Sequence, residues 1–354
     1  MKVLVTGGSG FIGSHTCLAL VEKGYEVLVI DSYVNSNEES IRRVVELTKS
    51  NNKVKNVKID IHNKDIRDEL FLDKLFSDSQ IAGKSIEAVI HFAGLKSVNE
   101  SVINPMLYWD TNVNGSINLF KVMSRYQCKT IVFSSSATVY GLLNKGPITE
   151  KADINPINPY GRTKSVIEKI LHDIFDSEPD KWKIANLRYF NPIGSHPSGM
   201  IGEAPNGIPN NIFPYITQVA AGIREKLTVF GNDWPTKDGT GVRDYIHVMD
   251  LAEAHILALE HLVKTKNQII NLNLGTGVGT SVLELVNTFE RVNNLKIPLE
   301  FSSRREGDCS TVIAENALAI DSLNWSPKRN LEDMCVDGWK WQKLNPEGYK
   351  EKNK

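Results

Sequence analysis

Tyr160 and Lys164, four residues apart in "NPYGRTK", are of the types that handle protons. A free tyrosine titrates near pH ~10. A cation one helical turn away favours the phenolate and makes the phenol a candidate general base near neutral pH. Pro159 suits the first turn of a helix. At about 100° per residue, Tyr160, Lys164, Ile167, Leu171 and Ile174 then share one face. That face continues as an apolar stripe, so it is expected to point into protein. Burying a lysine and a phenol is costly unless each serves the other. A third hydroxyl comes from "SSSATVYG" (134–141), which closes an apolar strand pattern. Ser136 is the expected third member and Ser135 the competing choice.

The segment "VTGGSGFIGS" follows a first strand pattern and opens a helix, with Gly7, Gly10 and Gly13 spaced three apart. Glycines permit a tight turn and close approach of backbone to a pyrophosphate, and the helix N-terminus beyond offers N–H groups. Asp31 closes the second strand pattern, 18 residues past Gly13. A carboxylate there accepts from ribose hydroxyls and repels a 2′-phosphate, which points to NAD over NADP. The positive nicotinamide ring would add to the lysine in favouring the phenolate. A second cluster, "NLGTGVGTSV" (273–282), has Asn293 and Asn294 where an acid would be needed. It reads as a structural turn.

These residues need a frame. Apolar runs at 2–6, 26–31, 56–60, 88–94, 130–136 and 184–190 are nearly continuous in Val, Ile and Leu. That pattern suits parallel strands buried on both faces. Amphipathic segments alternate with them, which predicts an α/β fold: a Rossmann-type doubly wound parallel sheet with a smaller mixed α/β substrate domain. The expected cut gives an NAD-binding domain over 1–190 and a second domain over 191–354, with part of 240–265 returning to the first. The stretch 191–211 reads as a long ordered substrate loop. Helices are expected near 250–264, 281–293 and 331–343, with longer helical stretches at 104–126 and 159–177 and a frayed tail from 345.

The chain has 354 residues, 41% hydrophobic and 23% charged, with net charge −1. This is a soluble globular composition, and it argues against nucleic acid or an acidic membrane as main partner. Cys17, Cys128, Cys309 and Cys335 form no C-x-x-C pair and no Cys/His metal cluster, so reduced thiols, no metal and a cytoplasmic location are expected. The N-terminal apolar run is interrupted as no signal peptide is, and no run reaches the ~18 residues of a membrane span.

With "HFAGLKSVNES", "LRYFNPIGSHPSG", "GIPNN", "VFGNDWPTKDGTGVRDYIHVMDLA" and "RREGD" added to the motifs above, the sequence resembles the extended short-chain dehydrogenase/reductase family over almost its whole length. The resemblance is to the branch acting on nucleotide sugars. It implies inversion of carbon 4 of a UDP-hexose through a transient 4-keto sugar, with NAD as cofactor and a homodimer built on long helices. It implies Tyr160, Lys164 and Ser136 as the catalytic trio. For NAD it implies Gly7, Gly10, Phe11, Ile12, Gly13, Asp31, Asn35, Asp60, Ile61, Phe92, Ala93, Gly94 and Lys96, with Tyr160 and Lys164 shared. For the nucleotide sugar it implies Asn191, Asn210, Asn211, Phe230, Arg243, Tyr245, Arg305 and Asp308, with Lys96 and Ser136. Guanidinium forks suit a diphosphate. Thr111 departs from the family's pattern before Asn112, without removing a hydrogen-bonding group. Val312 stands where relatives often carry an aromatic residue, and room there would admit N-acetylated sugars. The alternatives are a 4,6-dehydratase, which needs a carboxylate that Ala137 and Thr138 do not provide, an ordinary NAD-dependent dehydrogenase, and a non-catalytic NAD-binding module.

Overall fold

The computed structural model describes residues 1–50, 58–142, 146–305 and 307–350. The chain begins β1 (Lys2–Thr6), α1 (Phe11–Glu22), β2 (Glu26–Asp31), α2 (Glu39–Ser50), β3 (Ile59–Asn63), α3 (Glu69–Ile81) and β4 (Ala88–His91). It continues α4 (Val98–Ile103), α5 (Pro105–Tyr108), a π turn (Trp109–Asn114), α6 (Gly115–Arg125), β5 (Thr130–Ser136), a 3-10 turn (Ala137–Tyr140), α7 (Pro159–Ser177) and β6 (Lys183–Tyr189). Then come β7 (Asn191–Ile193), α8 (Ile212–Ala220), β8 (Leu227–Phe230), β9 (Val242–His247), α9 (Val248–Lys264) and β10 (Gln268–Leu274). The chain closes with β11 (Gly279–Ser281), α10 (Val282–Asn293), β12 (Leu299–Ser302), β13 (Thr311–Val312), α11 (Ala317–Leu323) and α12 (Leu331–Leu344).

Seven strands form one sheet in the order β10-β6-β5-β4-β1-β2-β3. Parallel pairing joins β1 to β2 and β4, β2 to β3, and β4 to β5. Residues 3–5, 27–30, 88–90 and 131–133 are all buried, because helices cover both faces of a parallel sheet. The strand order reverses between β1 and β4, and the crevice at such a reversal is where ligands of these sheets bind.

The chain divides into two units. The first comprises Met1–Gly141, Ile154–Arg188 and Ala252–Leu272; the second comprises Leu142–Asp153, Tyr189–Leu251 and Asn273–Lys354. This differs from a cut at 190 in two ways. The returning segment is 252–272, and 142–153 fall in the second unit. The reason for the latter is backbone pairing: Ile148 bridges Ala314, its N–H donates to the Ile313 carbonyl at 2.8 Å, and its own carbonyl accepts from Asn273 at 2.8 Å.

One expectation is refined and two need correction. The expected helical stretch 104–126 runs from Pro105 to Arg125 and takes a π winding over Trp109–Asn114, where Asn112 is buried and bonds the Leu95 backbone and the Thr163 hydroxyl. The strand expected over 88–94 ends at His91, and Phe92–Gly94 form a loop with Gly94 at φ 159°. The tail is not frayed at its start: Asn345 and Tyr349 are buried, and the Tyr349 hydroxyl meets both the N–H and the carbonyl of Gly202. Residues 56 and 57 of the expected third strand lie outside the described residues.

In the second unit β9 pairs with β11, β13 and β7, and β8 pairs with β12. The loop after β7 is ordered by α12. Trp341 donates to the Glu203 carbonyl at 3.0 Å and Asn345 to the Gly199 carbonyl at 2.9 Å. A Cβ at Gly202 would collide with the Trp341 ring.

The second glycine cluster has its own anion. The buried Asp244 carboxylate on β9 accepts from the N–H groups of Thr276, Gly277 and Ala314 at 2.7, 2.9 and 3.1 Å, and from the Thr276 hydroxyl at 2.7 Å. Backbone donors that elsewhere cradle a phosphate are occupied here by the chain's own acid. Asp244→Ala orphans these buried donors and should lower the unfolding free energy by about 2–4 kcal/mol. Denaturant titration reads the loss, and an unchanged midpoint would contradict the assignment.

Candidate active site

The first glycine loop sits at the carboxyl end of β1, against the loop after β4. Gly7 has φ 70°, and a Cβ on it would lie 2.7 Å from the Ala93 nitrogen. A Cβ on Gly13 would collide with the Gly7 carbonyl. Gly10 is the N-cap of α1 and offers no side-chain cap, and the first turn, with Phe11 and Ile12, carries no acid. The helix N-terminus is thus open to an anion. The Asp31 carboxylate accepts from the Ser9 N–H at 2.9 Å, the Tyr33 N–H at 3.0 Å and the Ser36 hydroxyl at 2.6 Å. A carboxylate has roughly four lone-pair sites, so one remains for a ribose hydroxyl. Asn35 follows in the same loop, exposed, while Asp60 and Ile61 lie on β3 in register with Leu28 and Val29. Phe92, Ala93 and Gly94 are half-buried and Lys96 is exposed. A dinucleotide fits this cradle: close packing at Gly7 and Gly13 makes the turn tight, and Gly10 leaves the α1 N-terminus without a side chain.

Helix α7 brings the proton-handling pair to the same sheet. Asn158 caps it by accepting from the Gly161 N–H, and Pro159 occupies its first turn. Tyr160 and Lys164 are 8% and 4% exposed, with Ile167 and Leu171 continuing the buried face. The Tyr160 ring packs on Leu95 and Tyr108. The Lys164 ammonium donates to the Ser134 carbonyl at 2.8 Å and lies 4.9 Å from the centre of the Phe133 ring. Ser136 ends β5, and its hydroxyl oxygen accepts from the Thr138 N–H and hydroxyl at 3.3 and 2.8 Å. Ser135 is fully buried and donates to the Glu168 carboxylate.

Burial dominates the electrostatics of the pair. It pushes the Tyr160 phenol above its ordinary value, and a hydrogen bond with Ser136 pulls it back. The expected depression of the phenol is therefore not a property of the chain alone. Burial also pushes the Lys164 ammonium down to about 8, opposed by the Glu168 carboxylate. His91 lies behind them on β4, between the Thr6 and Ser116 hydroxyls at 2.6 and 2.8 Å, and burial first and Lys164 second keep it neutral, near 3.

A cavity of 690 Å³ lies within the second unit. Asn191, Asn210, Asn211, Phe230, Arg243, Tyr245, Arg305 and Asp308 all line it. Pairing of β7 with β9 puts Asn191 beside Tyr245. The Arg243 guanidinium donates to the Val242 and Cys309 carbonyls at 2.9 and 3.0 Å and meets Asp308 at 3.3 Å. The Arg305 guanidinium lies 3.8 Å from the centre of the Phe230 ring. Val312 is not among the lining residues; it sits on β13 in register with Arg243. Sequence reasoning missed Tyr215 and Trp234 in the wall and the N-terminus of α8, which Asn211 caps without a side-chain bond. The only signal for that terminus was the polar "PNN" before an apolar helix.

The sequence profile of the GDP-mannose 4,6 dehydratase family matches residues 4–337. UDP-glucose 4-epimerase 2 of Arabidopsis thaliana is 52% identical over 98% of this chain and 97% of its own length. UDP-glucose 4-epimerase of Bacillus subtilis (strain 168) is 50% identical over 99% of both. A crystal structure of UDP-glucose 4-epimerase from Stenotrophomonas maltophila, with bound NAD and formylated UDP-arabinopyranose, superposes with TM-score 0.92 at 45% identity, covering 98% of this chain and 99% of that one. The enzyme from Bifidobacterium longum, in complex with NAD+ and UDP, superposes at 0.90 with 42% identity, covering 98% of this chain and all of that one.

The folded chain binds the Lys164 proton more weakly than the unfolded chain, whose lysines titrate near ~10.4. Below about pH 8 both states carry the proton, and the buried charge lowers stability by a constant amount. As pH rises from about 8 toward ~10.4 the folded state sheds the proton first, and the penalty is relieved. Without cofactor, the wild-type chain should gain thermal stability relative to Lys164→Met across that window. Parallel pH profiles for the two proteins would contradict a buried ammonium.

Proposed function

The chain belongs to the UDP-glucose 4-epimerases of the extended short-chain dehydrogenase/reductase family, and on that premise we propose how its residues work. It is an NAD-dependent isomerase that inverts carbon 4 of a UDP-hexose, interconverting UDP-glucose and UDP-galactose through a transient 4-keto sugar. The observation that carries the reading is the buried Tyr160–Lys164 face of α7, set beside Ser136 on the sheet that also carries the glycine cradle.

NAD, when bound, supplies a hydride acceptor that also returns the hydride, so no external oxidant is consumed. Gly7, Gly10 and Gly13 make room for its pyrophosphate, the α1 N-terminus offers N–H groups to it, and Asp31 accepts from its ribose. Tyr160, as phenolate, takes the proton of the hydroxyl on carbon 4, with Ser136 holding that oxygen. Tyr160 gives the proton back once the ketone has been reduced from its other face. Lys164 favours the phenolate by its charge, and the positive cofactor ring adds to it. In the second unit, Arg243 and Arg305 hold the diphosphate and Asp308 accepts from the uridine ribose. Stacking on Phe230 and bonding to the Val242 and Cys309 carbonyls fix the two guanidinium groups in advance, which lowers the entropy lost on binding.

A dehydratase requires an acid to expel the hydroxyl on carbon 6. The turn after Ser136 begins with Ala137 and Thr138, so no carboxylate follows the serine there. We propose that the chain forms a homodimer. Val102, Ile103 and Met106 of α4 and α5 are 63%, 77% and 76% exposed, an apolar surface suited to a second copy of the chain. A cytoplasmic location is likewise proposed, on four cysteines that are all buried as thiols with no disulfide among them.

Purified protein incubated with UDP-galactose should yield UDP-glucose with no accumulation of NADH in near-ultraviolet absorbance, and denaturation should release NAD. Steady NADH production would favour a dehydrogenase, a 4-keto-6-deoxy product a dehydratase, and no conversion a binding module. Tyr160→Phe should lower kcat about 100- to 10,000-fold with NAD retained.

Val312 stands in register with Arg243, a lining residue. We place it beside the sugar, where a small side chain admits an N-acetyl group. Val312→Tyr should suppress turnover of UDP-N-acetylglucosamine and spare UDP-glucose. Equal loss of both activities would refute the gate.

A further inference from the structure

One buried ion pair has no part in the mechanism above. Glu168 lies one turn beyond Lys164 on α7, and Arg188 lies near the end of β6. The two side chains are each 5% exposed. Arg188 Nε donates to the two carboxylate oxygens at 3.0 and 3.2 Å, and its Nη2 donates at 2.6 Å. The Ser135 hydroxyl donates to the same carboxylate. Arg188 Nη1 donates to the Tyr140 hydroxyl at 3.0 Å.

A buried ion pair is an inefficient source of stability, because desolvation offsets most of its attraction and a packed apolar pair serves as well. What it adds is geometry. A guanidinium fork meets a carboxylate in one plane and one orientation. Here that orientation bears on the residues to either side of Ser136. Ser135 is held directly by Glu168. Tyr140 closes the 3-10 turn that Ser136 caps, and it is held through Arg188. Ser134, one residue earlier, takes the Lys164 ammonium. Three successive residues of β5 are therefore tied to three turns of α7: Ser134 to Lys164, Ser135 to Glu168, and Ser136 to Tyr160. No shift of the helix along the strand preserves all three.

We propose that Glu168, with Arg188 as its counter-charge, is a positioning residue of the reaction: it locks α7 against the end of β5 and so sets where Tyr160 stands relative to Ser136. The inference deepens the functional reading and rests on it. Glu168 does not touch the reacting atoms; it acts through Ser135, Arg188 and Tyr140, and its charge also supports the Lys164 ammonium.

The test uses the full chain loaded with NAD. Glu168→Met combined with Arg188→Leu removes both charges of the pair together, so neither partner is left buried alone and the fold should survive. Its kcat for UDP-galactose should fall about 100-fold while KM stays within about threefold, because helix placement matters at the transition state and not for holding the nucleotide. Ser135→Ala removes the serine arm alone. It should lower kcat about 10-fold with no change in melting temperature or NAD content. A folded, NAD-retaining double variant with wild-type kcat would overturn the proposal. So would an unimpaired Ser135→Ala, which decides the matter even if the double variant fails to fold. Failure of the functional reading looks different: the wild-type protein itself would not interconvert the sugars.

Discussion

The first unit is organised around a phenol and an ammonium buried on one face of one helix. Neither group tolerates an apolar surrounding without partners. Lys164 finds the Ser134 carbonyl and the face of Phe133, and Tyr160 finds Ser136 between Leu95 and Tyr108. Each partner lies at the carboxyl end of β5 or in the segment after β4, so satisfying the pair also brings α7 to the sheet edge where ligands bind. The π turn serves the same end. It lets Asn112 reach the Leu95 backbone and the Thr163 hydroxyl, and so fastens the segment that packs on Tyr160 to the helix that carries it.

Two glycine clusters follow strands in this chain, and they serve opposite purposes. In the first, close packing of Gly7 on Ala93 and of Gly13 on the Gly7 carbonyl leaves the α1 N-terminus uncapped by any side chain. In the second, the N–H groups of Thr276 and Gly277 turn onto Asp244, an acid of the chain itself. The physics is common to both, since oriented backbone donors seek an anion. What differs is whether the anion is built into the chain. Asp244 sits between Arg243 and Tyr245, so the same carboxylate that closes the loop also steadies the strand lining the cavity.

That cavity shows how an almost neutral chain can gather positive charge at one place. Net charge −1 says little about binding, because the relevant charges are local. Arg243 and Arg305 come from distant segments and are each held in place by carbonyls or an aromatic ring. The α8 N-terminus adds partial positive charge with no further side chain.

The alternation of strands and helices, the limits of α7, the first glycine loop with Asp31, and the face shared by Tyr160 and Lys164 are all legible in the order of residues. These are local matters: periodicity, a proline at a first turn, glycine where no Cβ fits. Folding in three dimensions was needed to show that 142–153 fall with the second unit, that Tyr349 is anchored on Gly202, and that Ser135 serves Glu168 while Ser136 stays beside Tyr160. It also brings together Glu168 and Arg188, 20 residues apart, inside the protein. The reason is physical. A backbone pattern is written in neighbouring residues, whereas the partner of a buried charge is chosen by whichever strand the fold lays beside it.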